Sequence, residues 1–154
     1  MEELEELKKE LEEVLEKVNG KLEEYDEIHY WAICQPGAVL CFSKNTDPNY
    51  DFKKRIGNYF KTEEEGKEYL EDLKIKTEIK SIANELNENK KIDWNDDTQT
   101  KYFLRYEHNS LEVGYGCNRT WKTGGTIYCL DSDFMNVCIK RIGQERLENY
   151  LKRN

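Results

Sequence analysis

The chain has 154 residues, 37% hydrophobic and 36% charged, which supplies one compact body with an appendage and too little apolar material for two full-sized domains. No run approaches the ~20 apolar residues of a membrane span, and the first residues are acidic where an export signal is basic and then apolar. The expectation is a soluble, cytoplasmic chain with no membrane contact. Charge is unevenly placed: residues 1–27 carry 12 acidic and 4 basic residues and residues 28–154 carry 20 of each, so the net charge of -8 belongs to the N-terminal segment. A neutral body exerts no general pull on a phosphate backbone and an acidic arm opposes one, which makes nucleic acid the less favoured partner.

From Glu2 to Asn19 there is no Pro or Gly, and Leu4, Leu7, Leu11, Val14 and Val18 follow the 3,4 spacing of heptad a and d positions. This predicts an amphipathic, coiled-coil-like helix within an acidic arm, residues 1–27. Gly20 reads as its break, with Leu22 and Tyr25 out of phase beyond it. So short a seam must be covered by the body, by a second copy in a homodimer, or by a partner.

The body, residues 28–154, reads as two halves, 28–92 and 93–154. In the first, residues 28–34 and 38–44 flank Gln35-Pro36-Gly37-Ala38, the order for a type II turn, and predict a hairpin. A polar loop over residues 45–54 leads to a short third strand ending at Phe60. Thr62 with Glu65 three residues on is a capping box, opening a helix that carries Tyr69, Leu70 and Leu73 inward, then Ile75, Ile79, Ile82, Ala83 and Leu86. In the second half, Tyr102, Leu104 and Tyr106 alternate with Phe103, Arg105 and Glu107, and Leu111, Val113, Tyr115 and Cys117 alternate with Glu112, Gly114 and Gly116. A turn at Asn109-Ser110 sets 106 opposite 113, 104 opposite 115 and 102 opposite 117, with every pair apolar. Residues 126–130 predict a third strand, Asp131 a helix cap, Gly143 a helix stop, and residues 144–152 a last helix on Leu147, Tyr150 and Leu151. Tyr59-Phe60-Lys61-Thr62 matches Tyr128-Cys129-Leu130-Asp131 at an offset of 69. The predicted fold is α+β: an N-terminal helix followed by two ββ(β)α units with antiparallel sheet.

No phosphate-loop, dinucleotide, zinc-protease, serine-hydrolase or calcium-loop motif occurs, so no catalytic residue is assigned. Cys34, Cys41, Cys117, Cys129 and Cys138 are odd in number and include no C-x-x-C pair, which favours reduced thiols over a disulfide framework or a zinc site. A Cys117–His108 metal site and a cation held by Asp93, Asp96 and Asp97 are the alternatives; strand and loop roles suit these residues as well. No metal or cofactor is expected. The remaining candidates are surfaces: Leu4, Leu7, Leu11, Glu12, Glu13 and Glu16 on the arm, Lys53-Lys54-Arg55, and the loop residues Tyr50, Trp94, Arg119, Trp121 and Lys122, whose cations and rings suit a partner interface or stacked bases.

Gly57-Asn58-Tyr59-Phe60-Lys61-Thr62-Glu63-Glu64-Glu65, with Asp93-Trp94, Lys101-Tyr102 and the closing Ile142-Gly143-Gln144-Glu145-Arg146-Leu147, resembles a family of small proteins of phages, prophages and other mobile elements of low-GC bacteria, often with a Glu/Lys-rich coiled-coil leader. The composition suits that setting, with 3 Ala and 2 Pro against 18 Lys and 13 Asn. The resemblance covers about residues 28–151 and brings no catalytic residues. It implies that genomic setting, and the setting together with the absence of a catalytic motif gives the expectation of a non-enzymatic protein that binds and inhibits or modulates a host protein or defence complex, for example an inhibitor of the anti-CRISPR type. The competing expectations are a nucleic-acid or nucleotide-binding module built on the basic and aromatic loops, and a structural or regulatory phage protein assembled through its coiled coil.

Overall fold

The computed structural model describes the backbone of residues 2–154 and the side chains of residues 4–154; Met1 of the expected arm lies outside the described residues. The order of elements is α1 (Glu2–Ile28), β1 (His29–Cys34), β2 (Ala38–Ser43), α2 (Tyr50–Arg55), α3 (Glu63–Asn87), β3 (Lys101–Glu107), β4 (Glu112–Asn118), α4 (Phe134–Ile142) and α5 (Gln144–Arg153). The architecture is α+β, with two antiparallel strand pairs, β1–β2 and β3–β4. Two compact units divide the chain, one up to Leu70 and one from Glu71, so α3 begins in the first and continues into the second.

In the first unit α1 runs unbroken for 27 residues, about 40 Å at ~1.5 Å per residue. It passes straight through Gly20, contrary to the expected break. One helical glycine costs only about 1 kcal/mol, and a Cβ there would meet nothing within 4 Å, so the residue sits on an open face. The apolar stripe also continues: Leu4, Leu7, Leu11 and Val14 recur eleven residues on as Leu15, Val18, Leu22 and Tyr25. Eleven residues fill three turns at about 3.67 per turn, so the stripe stays within a sector about 100° wide along a nearly straight helix. Leu22 and Tyr25, out of phase in sevens, are in phase in elevens.

The hairpin pairs Tyr30 with Phe42 and Ala32 with Leu40. Its turn differs from the type II expected over residues 35–38. The Gln35–Pro36 peptide is cis and Gly37 N–H donates to Cys34 O at 2.6 Å, which makes residues 34–37 a type VI turn with proline third. Lys53-Lys54-Arg55 lie on α2, in place of the last part of the expected loop. The expected third strand shortens to a single residue, Phe60, which exchanges two backbone hydrogen bonds of 2.9 Å with Trp31. Asn58 extends that pairing with its side chain: its Oδ1 accepts from Ile33 N–H at 2.7 Å and its Nδ2 donates to Ile33 O at 2.8 Å, an amide standing in for a peptide. Thr62 then caps α3, its Oγ1 accepting from Glu65 N–H at 3.2 Å while the Glu65 carboxylate accepts from Lys61 N–H at 2.9 Å. Gly66 lies against the hairpin so closely that a Cβ would come 2.7 Å from Val39 Cγ1.

Asp47 organises the polar side of this unit. Its carboxylate accepts from Tyr30 Oη, from Lys53 Nζ at 2.8 Å and from Asn49 N–H at 2.9 Å. The Lys53 ammonium, followed by the Tyr30 hydroxyl, holds the Asp47 pKa at about 2. Lys53 also stands 3.4 Å from the centre of the Phe42 ring, and burial with the Asp47 hydrogen bond pushes the Tyr30 phenol up.

The second unit holds the apolar core: Ile75, Ile79, Ile82 and Ala83 of α3, Val113, Cys129, Phe134, Cys138 and Ile142, and Leu147 of α5. Tyr69 and Leu73, expected to point inward, are exposed. The core phase of α3 instead begins at Ile75. The β3–β4 register is the one the alternation predicts, Tyr102 opposite Cys117, Leu104 opposite Tyr115 and Tyr106 opposite Val113, although pairing ends at Glu107–Glu112 and four residues close the turn. At Gly116 the Phe103 ring lies where a Cβ would stand, so a side chain there would have to displace the ring. The strand expected over residues 126–130 also reduces to one residue, Cys129, which exchanges bonds of 2.7 and 2.8 Å with Tyr102. Asp131 does not cap the helix. Its carboxylate accepts from Asp133 N–H at 2.8 Å in an Asx turn, and α4 starts only at Phe134. All five cysteines are free thiols, two of them, Cys129 and Cys138, buried; burial pushes Cys138 up to about 12. Among the described residues no helix is long and apolar enough to cross a membrane, and no group of three His, Cys, Asp or Glu is placed to hold a metal ion.

Candidate functional site

The arm presents a long stripe of exposed apolar side chains. Leu4, Leu7, Leu11, Val14, Leu15, Val18, Leu22 and Tyr25 are each between 48% and 75% exposed, although Val, Leu and Tyr side chains on one helical stripe normally face a core. The last turn of α1 is tied down within its unit. Tyr25 stacks on His29 with ring centres 3.9 Å apart and its hydroxyl lies 3.6 Å from Cys41 Sγ, a contact that pushes its phenol up. Lys44 Nζ donates to Glu27 O. Glu12, Glu13 and Glu16 are exposed on the same helix as Leu4, Leu7 and Leu11, so the arm residues singled out in the sequence share one element. Leu15 escapes a reading in sevens, which also puts Leu22 and Tyr25 out of phase, and the eleven-residue offset is the signal that places all three on the stripe.

The loop candidates fare unequally. Tyr50 opens α2 and packs edge-on against Tyr30 and Tyr59, with ring centres 5.4 and 6.0 Å away, so it is a packing residue of the first unit. Lys53 is committed to Asp47. In the second unit Arg119, Trp121 and Lys122 are exposed, with Trp121 at 59%. Their loop is held at two points. Lys101, fully buried, donates from Nζ to Arg119 O and to Asp96 O, both at 2.8 Å, with the Trp94 ring centre 5.3 Å away. Four residues on, Thr123 N–H donates to Tyr128 Oη at 2.9 Å, and Tyr128 is packed edge-on by Trp94 and Phe103. Trp94 is thus part of the loop's support, while Trp121 and Lys122 project between the two fixed points. A buried lysine satisfied by carbonyl oxygens and a ring carried no sequence signal, since Lys101 at the head of a strand reads as solvated.

No protein-family model, curated protein or solved structure matches the chain.

Proposed function

We propose that the chain acts without catalysis, by stoichiometric binding of a partner protein along α1. The observation that carries this reading is the exposed eight-residue stripe of α1, set on a segment that also carries all of the net charge. Apolar side chains supply the association energy, and the surrounding carboxylates select a groove with a Lys- or Arg-rich rim. Self-pairing brings two strongly acidic helices together, so charge favours the heterotypic partner. In the phage setting implied by the motif resemblance, that partner is a host protein or defence complex which the arm inhibits or modulates.

The test is site-specific photocrosslinking from position 11 of the full chain in host lysate, together with solution mass by light scattering. A monomer is expected. Its crosslinked partner should be lost at every salt concentration with Leu7→Asp/Leu11→Asp and lost in a salt-dependent manner with Glu12→Lys/Glu13→Lys/Glu16→Lys. A crosslink that survives both variants overturns the reading. A second reading, pairing of two copies through α1, is favoured by the regular eleven-residue repeat. It requires a dimer mass that falls to monomer with Leu7→Asp/Leu11→Asp.

A further inference from the structure

A cleft of about 490 Å³ opens in the second unit between α3, the β3 end of the hairpin, α5 and the Thr123–Thr126 turn. That size falls in the range of small-molecule sites, roughly 300 to 1,000 Å³. The chain has 32 Asp and Glu among 154 residues, yet none of the fourteen residues lining the cleft is acidic. Cations are present instead. Lys76 lines one wall and forms no ion pair among the described residues. Arg105 lines another; only its Nε is engaged, by Glu107 at 2.6 Å, which leaves the two terminal nitrogens as donors. Lys152 brings a third charge close, its Nζ standing 4.9 Å from the centre of the Tyr106 ring in the wall.

The turn adds donors of another kind. Thr126 N–H closes it on Thr123 O at 3.4 Å, and Gly125 at φ +80° occupies the position where a left-handed residue is needed. The N–H groups of Gly124 and Gly125 meet no acceptor within the described residues, and a Cβ on either glycine would find open space within 4 Å. Two amides without a protein acceptor, with a Lys and an Arg in the lining of a cleft that has no Asp or Glu among its lining residues, offer charged and neutral donors suited to a phosphate group.

We propose that this cleft binds a phosphate-bearing small molecule of mononucleotide size, with the phosphate held by the Gly124 and Gly125 amides, Lys76 and Arg105. The site shares no residue with the partner-binding arm and includes neither Arg119 nor Lys122, so its failure leaves the arm reading intact and the reverse also holds.

The experiment is amide NMR titration of the full chain with AMP, pyrophosphate and adenosine at 0.15 M salt. Saturable shifts of the Gly124 and Gly125 amides are expected with AMP, and Lys76→Glu and Arg105→Gln should each weaken binding about tenfold, which corresponds to about 1.4 kcal/mol. Lys76 is exposed, so its replacement leaves the fold in place, and the unperturbed remainder of the spectrum verifies this. Equal response to pyrophosphate makes the phosphate itself the recognised group. Response to AMP alone makes it a nucleoside phosphate. Both outcomes support the site. Adenosine binding as well as AMP, no saturable shift at millimolar AMP, or Lys76→Glu binding within twofold of the unaltered chain overturns it.

Discussion

At Phe60 in the first unit and at Cys129 in the second, one residue exchanges both backbone hydrogen bonds with the leading strand of a hairpin, through Trp31 in one case and Tyr102 in the other. Around that common pair the two interiors diverge. Among the described residues fourteen apolar ones are buried; Tyr30, Ala32 and Phe60 belong to the first unit, and the other eleven lie in the second. In place of apolar volume the first unit has Asp47, which gathers a phenol, an ammonium and a peptide N–H, and Lys53, which lies over Phe42. The second unit also holds a lysine against a ring, but Lys101 is satisfied by carbonyl oxygens and serves a loop, while the core beneath is continuous and apolar. The comparison shows that backbone pairing fixes the frame and leaves the interior free to be polar or apolar. The stability of the two units should therefore respond to different perturbations.

The largest expected effect is on the apolar side. Phe134 is 1% exposed within the core, so Phe134→Ala should destabilise the second unit by about 3–5 kcal/mol, read from urea unfolding. Amide exchange should place the lost protection in β3, β4, α4 and α5. Equal loss of protection in β1 and β2 would show that the two interiors unfold as one.

The polar side predicts a response to acid. The Asp47 carboxyl is depressed to about 2 in the folded chain, against about 3.9 for an unperturbed Asp. Its stabilisation is therefore complete above about pH 4 and is lost as pH falls through about 2. Below pH 4 the protection of the Tyr30 and Phe42 amides should decline ahead of that of the Leu104 and Val113 amides. Asp47→Asn should remove that acid limb and lower protection at neutral pH, since the replacement keeps the size and loses the charge that Lys53 pairs with. An unchanged acid limb in Asp47→Asn would assign the response to another carboxylate.

Much of this frame was legible before any coordinates, because it depends on short-range pattern. Alternation set the register of β3 and β4, and the offset of 69 between Phe60 and Cys129 pointed to the two bridge residues. The Gly57-Asn58-Tyr59-Phe60-Lys61-Thr62 segment proves to be structural at four positions: Gly57 takes φ +76°, Asn58 pairs with Ile33, Phe60 with Trp31, and Thr62 caps α3. What was illegible depends on contacts distant in sequence or on a different period. Tyr69 and Leu73 carry apolar side chains at helical spacing, yet the burial of α3 is decided by elements that begin thirty residues later. Tyr50 and Lys53 looked like free loop residues because nothing local announces Tyr30 or Asp47 as partners. The arm was read in sevens, and its exposed stripe repeats in elevens.

The smallest expected effect compares the two junctions between bridge and helix. Thr62 and Asp131 occupy matching positions in the sequence, but of the two only Thr62 accepts at a helix N-terminus, its Oγ1 taking the hydrogen bond of Glu65 N–H. Asp131 bonds Asp133 N–H within a turn, and α4 begins beyond it with no side-chain cap hydrogen bond from Asp133. Thr62→Ala should therefore cost about 1 kcal/mol, the ordinary worth of a cap, and fray the first turn of α3. Asp131→Ala should leave the α4 amides as protected as before, since the orphan N–H groups of that helix gain nothing from its carboxylate. Side-by-side amide exchange of the first turns of α3 and α4 reads both. Fraying of α4 in Asp131→Ala equal to that of α3 in Thr62→Ala would make the two junctions equivalent in energy as well as in sequence position, and would leave the interiors as the one difference between the units.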